Sequence, residues 1–176
     1  MSNYEKNLTA LRWIIYILAV VIIITPILLF WAPEESILFF RHDILEQRGG
    51  VSSLLIWQKL LGFFVTSLPA AFLLWALISL LRLISLLRQG LWFAEDSEIH
   101  CRRFAHALLW YVGAQISHRT LLVLVLTVTN PPGEKELHLS LSSSDLMTLV
   151  PAIFALIFAH IVSLAREQRE ELKQII

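Results

Sequence analysis

Tyr111, Gln115, His118 and Arg119 fall at i, i+4, i+7 and i+8, a spacing that lines them along one face of a helix. A phenol, an amide, an imidazole and a guanidinium on one face can grip an anion or a lipid headgroup, with Arg119 supplying the charge. The setting makes this notable, because the four lie inside the apolar stretch from Phe104 to Val128. An ionisable side chain at bilayer depth is expensive, about 2.5 to 3.5 kcal/mol for a central Arg, so the stripe is expected to face other helices rather than lipid. Thr66, Ser67 and the Val65 carbonyl, which Pro69 leaves without its helical donor, are the candidate neighbours. No acidic residue lies in any apolar stretch. Two readings stay open: a structural Arg119, bonded to carbonyls or reaching outward to lipid phosphate, and an Arg119 that holds an anion from a cavity open to the outside.

Other groups carry weaker signals. His106 and His160 are both expected toward the same membrane face, where they could serve as axial ligands of a haem or share a metal. A di-haem membrane bundle needs two such pairs, so satisfied interfacial histidines are the plainer reading and no cofactor is expected. Asp96, His100 and Arg103 share a helix face, beside Glu98 and Arg102 at ion-pair spacing; this is either a solvated face or a docking surface. Gly113, Ser117 and Thr120 on one helix, and Ala152, Ala155, Ala159 and Ser163 on another, form small-residue faces suited to close helix packing or to homodimerisation. Cys101 is the only cysteine, which excludes an intramolecular disulfide, Cys-x-x-Cys redox chemistry and a cysteine-rich metal site. Neither a phosphate-binding glycine loop nor a His-Glu-x-x-His signature occurs, and catalysis is not expected.

The elements that position these residues follow from composition. Hydrophobic residues make up 57% of the 176 and mean hydropathy is +0.69, too apolar for an ordinary soluble domain. Four spans are predicted, at 13–31, 60–81, 104–128 and 146–165, each near the roughly 20 residues a bilayer requires. The first is read as a retained signal anchor, since its apolar core is longer than that of a cleaved signal. Lys and Arg divide nine to four in favour of the side that holds both termini, which places those termini in the cytoplasm. Trp13, Tyr16, Trp31, Trp57 and Trp92 fall near the predicted interfaces, where amphipathic rings are favoured.

Between the spans, Ile37, Phe40 and Ile44 share a face, suggesting a short amphipathic helix over 34–48 or else an irregular loop. Ser52 or Ser53 is positioned to cap a long helix from Leu54 to Gln89 that ends at Gly90. A cytoplasmic hairpin stalk, 82–103, turns there, and Glu95, Asp96 and Glu98 open the third helix. Asn130, Pro131, Pro132 and Gly133 break that helix; Leu137, Leu139 and Leu141 then alternate with polar residues as a short strand would. Residues 32–53 and 130–144 thus form an outer cap, and Arg166 to Ile176 continues the fourth helix beyond the membrane, with Arg166 and Glu170 paired at helical spacing.

The run Arg88, Gln89, Gly90, Leu91, Trp92, Phe93, Ala94, Glu95, Asp96 and the stretch from Leu137 through Asp145 to Glu171 resemble a bacterial membrane family known as domain of unknown function twenty-nine seventy-five. Glu95 and Asp96 replace the Glu-Asn pair typical of that family. The resemblance implies a four-helix inner-membrane protein and brings no activity. The expectation is therefore an all-α, four-helix transmembrane bundle with a small extracytoplasmic cap, acting as an accessory, sensory or regulatory subunit. The expected partners are the lipid bilayer and a membrane or cytoplasmic protein, or a second copy, and not nucleic acid. The competing expectations are a carrier or receptor for a small anion or lipid headgroup near Arg119, and, third, a haem-binding or other membrane enzyme.

Overall fold

The computed structural model describes residues 3–31, 54–91, 94–127 and 143–175, and every element among them is an α-helix. They are α1 (Asn3–Trp31), α2 (Ile56–Arg88), α3 (Glu95–Thr127) and α4 (Ser143–Ile175). All four are long and apolar enough to cross a membrane, as expected of an all-α, multi-pass membrane protein. Helices α2, α3 and α4 have 33 residues each, ~50 Å at ~1.5 Å per residue, so their ends project beyond a ~30 Å hydrocarbon core. The expected cap, with its amphipathic helix at 34–48 and its alternating strand, lies outside the described residues, except that α4 already begins at Ser143.

Helix α2 starts slightly later than predicted, at Ile56 with Leu55 as its cap residue. Ser52 and Ser53 lie outside the described residues. The Leu55 N–H donates to Gln58 Oε1 at 3.0 Å, so a side chain from the first turn satisfies the entering backbone. At the other end the predicted glycine stop is present: Gly90 has φ +75°, a conformation open to glycine without strain. The Gly90 N–H donates to the Leu87 carbonyl and the Leu91 N–H to the Leu86 carbonyl, both at 3.1 Å, which closes the helix end. The buried Ser97 hydroxyl then donates to the Leu91 carbonyl at 2.6 Å, locking the turn to the first coil of α3. Glu95, Asp96 and Glu98 occupy that coil, where negative charge suits the helix dipole.

Helices pack in chain order. The α2–α3 hairpin is central, α1 lies against α2, and α4 lies against α3. Near the loop end of the bundle, Leu29 and Phe30 of α1 are buried with Leu122 of α3. Gly62 makes this approach possible, because a Cβ there would stand 2.7 Å from the Phe30 ring. Toward the hairpin end, Cys101 and Ala105 of α3 meet Ala159 of α4, flanked by Ala155, Leu156 and Val162. The alanine face of α4 is thus a close-packing face, as its spacing predicted. Within the chain the matching α3 face meets no helix at Gly113 and Ser117, which are exposed, and the Ser117 hydroxyl turns back to the Gly113 carbonyl at 3.0 Å, which leaves that face to the homodimerisation alternative. Large apolar side chains such as Trp13 (64% exposed) and Phe154 (68%) cover the outside, as a lipid solvent requires.

Candidate polar cleft and hairpin-end charge cluster

Helix periodicity carries Tyr111, Gln115 and His118 onto the α3 face that meets α1 and α2, and the three line one cleft of about 320 Å³. Thr66, Pro69, Ala70 and Leu73 of α2 form a second wall, and Ile22, Thr25, Pro26 and Leu29 of α1 a third. His118 is only 4% exposed, and its Nε2 shares a hydrogen bond with Thr66 Oγ1 at 3.2 Å. The Thr25 hydroxyl donates to the Val21 carbonyl at 2.8 Å. The depth expected for Thr66 is therefore correct, but the residue it serves is His118.

Arg119 is half-buried and is not among the residues lining the cleft. One residue along a helix is ~100° of rotation, so Arg119 is turned away from the direction in which His118 points. Thr66 is engaged by His118, and the Ser67 hydroxyl donates to the Phe63 carbonyl of its own helix at 2.7 Å. Neither bonds to Arg119. The four-residue stripe read from the sequence is thus a three-residue cleft wall with Arg119 beside it.

The haem reading does not fit the packing. Ala105 and Ala159 meet directly in the α3–α4 interface, and their sequence neighbours His106 and His160 are both exposed. A helix turn of ~100° directs the two rings away from the seam in which a haem would have to sit. Among the described residues no three His, Cys, Asp or Glu side chains cluster as a metal site would require.

His106 instead borders a cleft of about 290 Å³ at the hairpin end, with Glu95, Glu98, Arg102, Arg103 and Arg166. Glu98 is its hub. Its carboxylate accepts from Arg166 Nη1 at 2.9 Å, from Ser163 Oγ at 3.0 Å and from Arg102 Nη2 at 3.0 Å. Arg166 also pairs with Glu170 at 2.8 Å and approaches Glu95 at 3.6 Å. Glu95, Glu98, Arg102 and Arg103 precede the apolar stretch that starts at Phe104, and Arg166 follows the one that ends at Ala165. Desolvation pushes the Glu98 carboxyl up, but donation from Arg166 and Ser163 and the charges of Arg166 and Arg102 outweigh it and hold the group below its ordinary range. On the adjoining face, burial and the nearby Arg82 and Arg103 push His100 down, against a smaller opposing effect of Asp96. Burial likewise pushes the Cys101 thiol up, which makes it a poor nucleophile.

The sequence reading anticipated the local pairs Glu98–Arg102 and Arg166–Glu170. It missed the link between them, and it missed Gln58, which is buried and also donates to the Val125 carbonyl of α3 at 3.4 Å. Compared with known protein families, curated proteins and solved structures, the chain gives no match.

Proposed function

We propose that this chain works by contact rather than catalysis, as an accessory, sensory or regulatory subunit of the bacterial cytoplasmic membrane with both termini inside. Its turn from Arg88 to Asp96 adds membership of the resembled bacterial family to the proposal. The supporting observation is packing in chain order, which leaves a second face of α4 open. Between α2 and α4 runs a groove of about 600 Å³ bordered by apolar side chains that include Leu80, Phe104, Leu108, Phe154 and Phe158. A groove of that character suits an apolar helix of a partner, while the exposed Arg102 and Arg103 give the stalk a polar contact surface. Extraction in mild detergent tests this. A partner should co-purify with the wild type and be lost from a folded Arg102→Glu/Arg103→Glu variant; a partner retained by that variant would remove the stalk from the interface.

A second reading is favoured by the cleft of Tyr111, Gln115 and His118: a receptor or carrier for a small molecule. The version with Arg119 as the ligand-holding charge is tested by Arg119→Leu. Retained folding and assembly with lost ligand binding would support it; lost assembly would assign Arg119 to structure.

A further inference from the structure

We propose that the cleft between α1, α2 and α3 binds an uncharged, lipid-soluble molecule with a carbonyl head, the chemistry shared by an isoprenoid quinone and a diacylglycerol. This deepens the receptor reading and rests on it, but it replaces the anion with a neutral ligand. No Lys, Arg, Asp or Glu lines the cleft. Its polar groups are a phenol, an amide, an imidazole and two threonine hydroxyls, set among Ile22, Leu29, Leu73 and Ala70.

Depth points the same way. His118 is nine residues from Thr127, where α3 ends, and fourteen from Phe104, so it lies ~14 Å or more along the helix from either of them. A ligand reaching that level through the bilayer must dissolve in hydrocarbon, where a net charge is strongly disfavoured. Gln115 lines the cleft and makes no hydrogen bond to another described residue. An amide left dry at this depth is costly, and a ligand carbonyl would accept its N–H. Pro26 and Pro69 both border the same space, so two of its three walls carry a proline. A volume of about 320 Å³ is at the small end for ligand sites. It holds a ring or an ester head, and leaves the tail in the bilayer.

Wild-type protein in phosphatidylcholine nanodiscs is titrated with ubiquinone-1, dioctanoylglycerol and dioctanoylphosphatidylglycerol, and adducts are counted by native mass spectrometry. A saturable one-to-one adduct with either neutral probe is expected, the quinone arm or the glycerolipid arm identifying the source. Gln115→Leu removes the free amide and Ala70→Phe fills the cleft; each should weaken binding about tenfold or more, the scale of one lost buried hydrogen bond. Saturation by the anionic probe alone would overturn the neutral class and keep the receptor reading. Silence from all three probes would overturn both. Neutral binding unchanged in both folded variants would move the site elsewhere and also defeat the proposal. The three-probe comparison needs only the wild type, so a variant that fails to fold does not decide it.

Discussion

Glu98 on α3 and Arg166 on α4 meet at 2.9 Å across 68 residues of sequence, and this pair ties the C-terminal part of α4 to the hairpin end of α3. The brace joins two helices, with the Ser163 hydroxyl of α4 and Arg102 of α3 completing the coordination of one carboxylate.

Removing the brace should loosen α4 while leaving the spans in place. Arg166→Ala leaves a carboxylate that retains only Arg102 and Ser163. A modest fall in Tm is expected, of the size typical of a partly exposed pair. Proteolysis of the α4 tail should accelerate more than the Tm falls. An Arg166→Ala/Glu98→Gln double variant should lose less than the sum of the singles, because the two residues act together. Strict additivity would show that the contact carries no coupling.

Acid should open the same contact. The Glu98 carboxyl is held below its ordinary range, so the folded state binds its proton less readily than the unfolded state. The stability it contributes is present above the ordinary carboxylate range and is lost as pH falls through the lowered value. Cys101, buried beside Ala159, reports the opening. Its reaction with 4,4′-dithiodipyridine, which proceeds in acid, should rise at low pH in the wild type. In Arg166→Gln the rise should move to higher pH, and an identical acid profile in the two proteins would contradict this.

At the loop end, Gly62→Ala puts a methyl 2.7 Å from the buried Phe30 ring. Phe30 must move against Leu29 and Leu122, and overpacking of this kind costs about 1 to 3 kcal/mol. Pairing it with Phe30→Leu should recover part of the loss. Thermal unfolding in a fixed detergent measures both.

The alanine seam makes a parallel case. Ala159→Leu should separate α4 from Cys101 and Ala105 at a similar cost of about 1 to 3 kcal/mol, and Cys101 should become reactive at neutral pH. A still-buried thiol in a folded Ala159→Leu protein would show that the seam tolerates bulk.

The spans, the Gly90 stop and the alanine face of α4 were legible because each rests on a local rule: apolar length, the φ freedom of glycine, and small residues at helical spacing. The same spacing rule found no neighbour at Gly113 and Ser117 within the chain, since a small-residue face does not say whether the helix opposite it belongs to the same copy or to another. Gln58 was invisible because an amide in a first turn at the predicted membrane edge reads as solvated, and only tertiary packing buries it against Val125. Glu98 shows the limit well. Its i,i+4 partner Arg102 is written in the sequence, but its bond to Arg166 depends on the register of α3 against α4. In the cleft, helical periodicity grouped Tyr111, Gln115 and His118 correctly; it also admitted Arg119, because spacing alone does not fix how wide a face the neighbouring helices cover.

Native mass spectrometry of the detergent-extracted protein tests the central claim, action through contact, most directly. The account predicts a defined complex with another protein subunit, dissociated by Arg102→Glu/Arg103→Glu. A lone, stable monomer carrying a small ligand, with no protein partner under mild extraction, would contradict it.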